Sequence, residues 1–200
     1  MELLSSASIL FVLLNPFLMS IYLISLIKDL SFKDFMGVML RAHIISGVTF
    51  IVFSMAGESI FENVFNVRFA SFLIFGGIIF LRIGINSVFS GKVVLLETNG
   101  NPEHLAGSVA MPFMIAPGTL SASVFIGSTQ PMGSATLAIT IAVLASFLSI
   151  MTFKLIHDPL KSKDERLLNR YVEVVGRVVA LFTGTYAIEM IVRGVEIIIK

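Results

Sequence analysis

Apolar residues run along this chain in long unbroken blocks. Six of them, each near the twenty or so residues that cross a bilayer core at about 1.5 Å of helical rise per residue, fall at residues 3–27, 37–57, 69–90, 105–128, 133–153 and 171–192. Strands of an outer-membrane barrel would alternate apolar with polar positions, and the other way to satisfy every backbone donor and acceptor in lipid is a helix. The pattern therefore predicts an all-α membrane protein with six transmembrane helices, numbered here as spans 1 to 6.

Composition agrees with that class and closes off others. The chain has 200 residues, 56% of them hydrophobic and 14% charged, and a mean hydropathy of +0.95. Cys is absent, so there is no disulfide framework, thiolate nucleophile or Cys-based metal site. A net charge of +1 gives no reason to expect nucleic acid. The extreme N-terminus lacks the basic patch of a secretory signal and its apolar run is too long for one, so the first block is expected to stay as a span. Lys28, Lys33 and Arg41, then Lys92, then Lys154, Lys161, Lys163, Arg166 and Arg170 fall on one side of the membrane; Arg68, Arg193 and Lys200 fall on the other. The positive-inside rule then puts both termini outside a multi-pass protein of the cell membrane.

Polar and helix-breaking residues interrupt the blocks in a repeated way. Asn15 and Pro16 sit near the centre of span 1, and Pro117 and Gly118 near the centre of span 4. At the offset between the two prolines (117 − 16 = 101), Ser20 meets Ser121, so both halves read Pro, three residues, Ser. Ser46 and Thr49 lie at mid-depth in span 2, and Ser146 and Ser149 at similar depth in span 5. Three spans in each half (1–97 and 98–200) would enter the membrane from opposite sides, which is a 3+3 inverted-topology repeat. In transporters built this way, interrupted helices at matching positions mark the substrate site.

The chemistry of such breaks is that of bare backbone. A proline removes one helical hydrogen bond and frees carbonyls near Val12 and Leu13; the half-helix after each break offers free N–H groups and a positive dipole end. Thr119, Ser121 and Ser123 could add hydroxyl donors, and the Asn15 side-chain oxygen could accept from an ammonium. That set suits a small neutral amino acid held between Asn15, Pro16, Ser20, Pro117, Gly118, Thr119 and Ser121. His43, the one histidine inside a span, together with Ser46, Thr49, Ser146 and Ser149, is the candidate set for coupling to H⁺ or Na⁺, although structural hydrogen bonding and interhelical packing account for the same residues. No cofactor is implied. An intramembrane enzyme would need a nucleophile with its base, or paired carboxylates at depth, and a primary pump would need a phosphate-binding loop; the sequence offers neither. A membrane scaffold or assembly subunit without transport remains open.

Several segments resemble a known family. "LLNPF" in span 1, "GGIIFLRI" at 76–83, "AMPFMIAPGTLS" at 110–121 and "GRVVALFTGTYAIEMIVRG" in the last span are similar to the MarC family of six-span membrane proteins. That resemblance implies the six-span fold and transport of small neutral amino acids, with Asn15, Pro16, Pro117 and Gly118 at the central site. Many members have Gly soon after the first Asn-Pro and a Gly-Pro-Gly in span 4, where this chain has Phe17, Leu18 and Ala116. Elsewhere, Met111 with Pro112 reads as a second kink in span 4, Arg82 is expected to pair with Glu173 or snorkel, and Glu189 with Arg193 to form an i, i+4 rim pair. Gly77 with Gly84, and Gly176, Ala180 and Gly184, give small-residue stripes that let helices approach closely, within the chain or in a homo-oligomer among membrane lipids.

Overall fold

The computed structural model describes residues 2–57, 59–64, 66–90, 102–160 and 165–199. Among them there are helices and no strands: α1 (Glu2–Leu14), α2 (Pro16–Tyr22), α3 (Ile24–Asp29), α4 (Phe32–Ala56), a π-helical turn at Ile60–Val64, α5 (Phe69–Ser90), α6 (Pro102–Val109), a second π-helical turn at Ala110–Met114, α7 (Pro117–Thr129), α8 (Met132–Leu160) and α9 (Glu165–Ile199). The boundary expected between the halves at residues 97 and 98 lies outside the described residues, as does the side chain of Glu173.

Among the described residues, four stretches are long and apolar enough to cross a bilayer: Glu2–Ser20, Phe32–Ala56, Phe69–Asn86 and Met132–Ile156. The fourth expected span is instead divided into α6, the π-helical turn and α7, because the chain is kinked at Met111, which is extended (φ −116°, ψ 127°), and no α-helix resumes until Pro117. The sixth expected span falls within α9, whose first turns lie outside the described side chains.

Local chemistry sets the ends of these elements. The Ser31 hydroxyl accepts the Asp34 N–H and so caps α4, and Gly57 closes that helix with a φ of 61° that a side chain would resist. At the far end of span 1 the last carbonyls of α3 are capped by a lysine. Lys154 Nζ donates to the Ile27 and Leu30 carbonyl oxygens at 2.6 and 2.9 Å, lies over the Phe35 ring and is 2% exposed. Its positive charge stands where the helix dipole is negative. Lys154 therefore belongs to α8 and the core, not to the solvated connection after span 5.

The main core lies among α1 to α4 and α6 to α8, where Leu10, Leu23, Phe35, Met39, Phe50, Met114, Ile139 and Ile150 are fully enclosed. Directions of packing can be read from individual contacts. Along α4, Ser46 meets Met114 and Ser54 meets Gly127, so α4 runs parallel to the α6–α7 arm; Gly47 meets Val143 and His43 meets Phe147, so α4 and α8 are antiparallel. Gln130, at the end of α7, donates to Ser6 near the start of α1.

The helices α5 and α9 form an antiparallel pair beside this core, and glycine makes their closeness feasible. A Cβ placed on Gly77 would lie 2.7 Å from the Ala187 carbonyl and 2.6 Å from Ile191 Cγ1. A Cβ on Gly194 would lie 2.8 Å from the Ala70 carbonyl and 2.6 Å from Ile74 Cγ1, a reciprocal arrangement. Further along the pair, beyond Gly77, Gly84 meets Ala180 and Gly184. The outer faces of the pair expose Phe75, Ile78, Phe89, Leu181 and Ile188, an apolar surface suited to hydrocarbon rather than water. Glu189 and Arg193 pair at 2.8 Å as the i, i+4 spacing predicts.

Gly77→Ala or Gly194→Ala should destabilise the folded chain by about 1–3 kcal/mol, because the added methyl meets a backbone carbonyl that cannot move aside. Gly107→Ala, which meets nothing within 4 Å, should leave stability unchanged or slightly raised through better helix propensity. Thermal unfolding of the three variants in detergent checks the contrast.

Candidate functional site

The two sequence breaks are built differently. Asn15 is the single residue between α1 and α2 and takes a left-handed conformation with φ of 42°, a region that asparagine tolerates better than most side chains. Its N–H still closes the last turn of α1 on the Phe11 carbonyl at 3.1 Å. Its side-chain oxygen accepts the Leu18 N–H at 3.1 Å, capping α2, in which Pro16 occupies the first position. One residue thus ends one helix and starts the next. The Asn15 oxygen expected to face an ammonium is taken by this cap, which leaves the amide nitrogen as the part of the side chain with donors to offer.

In span 4 the residue before Pro117 is Ala116, extended at φ −114°, ψ 156° as a residue preceding proline should be. Alanine has no oxygen with which to cap α7. Thr119 at the third helical position compensates: its Oγ1 accepts the Ala116 N–H at 3.0 Å and lies 2.7 and 2.8 Å from the Met114 and Ala116 carbonyl oxygens. The threonine hydroxyl, expected as a donor to ligand, is therefore held as a bracket across the break. Pro117 packs directly on Gly76 of α5, where a Cβ would overlap the proline ring.

Both breaks open on one cavity of about 120 Å³. From span 1 it is lined by Val12, Leu14 and Asn15, from span 4 by Ala116, Gly118 and Thr119. Pro16 has no N–H for the Val12 carbonyl, and the Leu18 N–H goes to Asn15 rather than back to Leu14. The C-terminal, electronegative end of α1 therefore lies at the cavity. Gly118 and Thr119, which also line it, belong to the first turn of α7, whose N–H groups have no partner within the helix and form its electropositive end. Acceptors and donors thus face a common space that no charged side chain lines.

The remaining sequence candidates are distributed around this centre. Pro16, Ser20 and Ser149 line a separate open groove on the outside of the first break; the Ser20 hydroxyl donates to the Pro16 carbonyl at 2.8 Å and that of Ser149 to Ala145. Ser121 lines another groove, near Arg193 and Glu196, and the Ser123 hydroxyl is bonded to the Leu120 carbonyl. Thr49 is exposed on the outer face of α4 and bonded to the Ile45 carbonyl. Ser46 is buried and donates to Met114 Sδ at 3.4 Å, so it touches the unwound arm of span 4. His43 donates through Nδ1 to the Met39 carbonyl at 2.8 Å, while its Nε2 and the Ser146 hydroxyl are buried without a protein partner among the described residues.

Sequence reasoning missed the far wall of the cavity. Phe182, Thr183, Tyr186 and Met190 of α9 contribute to it, with Phe80 and Ile83 of α5. Positions 183, 186 and 190 share one helix face, so the available signal was two hydroxylated residues at helical spacing within the last apolar block.

Thr119→Val, which keeps the side-chain shape and removes both bracket bonds, should lower stability by about 1–3 kcal/mol; Ser146→Ala removes a hydroxyl that has no partner and should cost nothing or stabilise. Parallel thermal melts in detergent compare them, and equal losses would contradict the assigned contacts.

Comparison with known proteins supplies the lineage. The model of the MarC family integral membrane proteins matches residues 1–199. A UPF0056 membrane protein of Pyrococcus horikoshii is 23% identical over 181 residues, covering 88% of this chain and 89% of that protein. No solved structure matches. With a family match over nearly its whole length, the chain belongs to the MarC family of integral membrane proteins.

Proposed function

We propose that this protein is a secondary transporter of small neutral amino acids, of the size of glycine and alanine, in the cell membrane. The observation that carries the proposal is the shared cavity: two interrupted helices bring an electronegative helix end and an electropositive one to the same uncharged space. A zwitterion matches that pairing, its ammonium on the carbonyls of Val12 and Leu14 and its carboxylate on the N–H groups of Gly118 and Thr119. At about 120 Å³ the space is well below the roughly 300–1,000 Å³ of pockets that take drug-sized ligands. Size thus favours a ligand of a few heavy atoms.

The same reading includes six spans arranged as two inverted three-helix repeats, with both termini outside. Packing supports it: the parallel contact of α4 with α7 is matched by that of α8 with the span 1 helices, where Lys154 reaches Ile27, and both α4 with α8 and α5 with α9 are antiparallel partners. Exchanging the two halves turns the first two contacts into each other and maps the two antiparallel pairs onto themselves. Proton or sodium coupling through the His43 and Ser46 region belongs to the same proposal, since Ser46 contacts the arm that carries the second break.

Purified protein in liposomes should exchange labelled glycine or alanine against unlabelled amino acid inside. Gly118→Leu, whose side chain must push into the space beside Tyr186 and Met190, should lower the exchange at least about 100-fold, as misfit at a binding site does, in protein that circular dichroism shows to be folded. A folded wild-type protein that exchanges neither amino acid, or a Gly118→Leu variant that exchanges both normally, would overturn the proposal.

A further inference from the structure

The cavity is closed by residues of four spans: spans 1 and 4 bring the two breaks to it, and Phe80 and Ile83 of α5 with Thr183, Tyr186 and Met190 of α9 complete its lining. Gly118 of α7 lies against the α9 residues. A methyl group built on it would meet Tyr186 Cε1 at 3.6 Å and Met190 Sδ at 3.7 Å, ordinary contact distances, so the α9 side chains stand just one atom's thickness beyond the α7 backbone. Met190 is 5% exposed and belongs to the helix that α5 clamps from behind through Gly77 and Gly194. It cannot retreat as a body.

We infer that Met190 and Tyr186 are the specificity-determining residues of the central cavity and set the upper limit on the substrate's side chain. The inference rests on the transporter reading given above. An amino acid whose ammonium and carboxylate engage the two breaks must direct its side chain away from them, toward α9. Hydrogen or methyl fits the gap; a branched side chain must displace the Met190 thioether or the Tyr186 ring. Tyr186 lies one helical turn before Met190 on the same face of α9 and is half exposed, whereas Met190 is enclosed, so Met190 sets the closer limit, softened by its unbranched thioether. A wall of this kind discriminates by roughly 10–200-fold per methylene or so, the range attainable by an apolar pocket.

The test is exchange in liposomes, read as the ratio of leucine to glycine transport efficiency (kcat/KM) so that changes in absolute rate cancel. Met190→Ala should raise this ratio about tenfold or more over wild type. Gly118→Ala, whose methyl is sterically accommodated, should lower the alanine-to-glycine ratio by a similar factor. If both ratios stay at their wild-type values in folded variants, the inference fails while the transporter reading stands. If wild type exchanges no glycine at all, it is the transporter reading that fails.

Discussion

A peptide group inside a bilayer has no water to bond to, and this single constraint shapes the chain. Every helix interruption at depth leaves N–H and C=O groups that must find partners or line a polar space. The two interruptions found here solve the problem unequally. At Asn15 the break is one residue long, and its amide side chain caps the following helix. Around Pro117 it is longer, running from the π-helical turn to Ala116, and Thr119 does the capping that alanine cannot. In each case some groups stay unused, and in each case those groups border the same cavity. The site is thus a by-product of how the breaks are stabilised.

The rest of the architecture holds the two breaks in register. The glycine-lined seam of α5 and α9 gives a close-packed wall, and Gly76 on that wall receives Pro117 directly. On the other side, α4 and α8 pack against the interrupted arms, with Ser46 on Met114 and Lys154 on the last carbonyls of α3. A buried lysine is tolerable at this position because three conditions coincide: two carbonyl acceptors, an aromatic face and a negative helix end. Packing, not charge pairing, otherwise sets the fold, as expected where lipid is as apolar as leucine.

Much of this was legible in the amino-acid sequence, and the parts that were not have physical reasons. The apolar blocks marked the helices, and the Asn-Pro and Pro-Gly pairs marked where they break, since proline removes a helical hydrogen bond while asparagine and glycine tolerate non-helical backbone. The roles of individual oxygens were not legible. Asn15 Oδ1 and Thr119 Oγ1 were free in the sequence reading and are capping groups in the fold, because a hydroxyl or amide near an unsatisfied helix end is captured locally before it reaches a ligand. Matched spacing does not by itself place a hydroxyl at the centre: Ser20, one helical turn after Pro16, shares with it a groove outside the cavity, and Ser121 lines another groove. The apolar wall at Phe182 and Met190 gave no signal, because in a membrane helix an apolar residue facing a cavity looks the same as one facing lipid.

The central claim is that two breaks share one solvent-accessible, ligand-sized space. The chain contains no cysteine, so single cysteines report without background. Leu14→Cys on one break and Ala116→Cys on the other can be reacted with a membrane-impermeant thiol reagent in liposomes, with Thr49→Cys on the outer face of α4 as a control. The account predicts that both cavity positions react, that saturating alanine slows both together, and that position 49, which faces hydrocarbon, does not react. Cavity cysteines that never react, or that react at rates alanine leaves untouched, would contradict it.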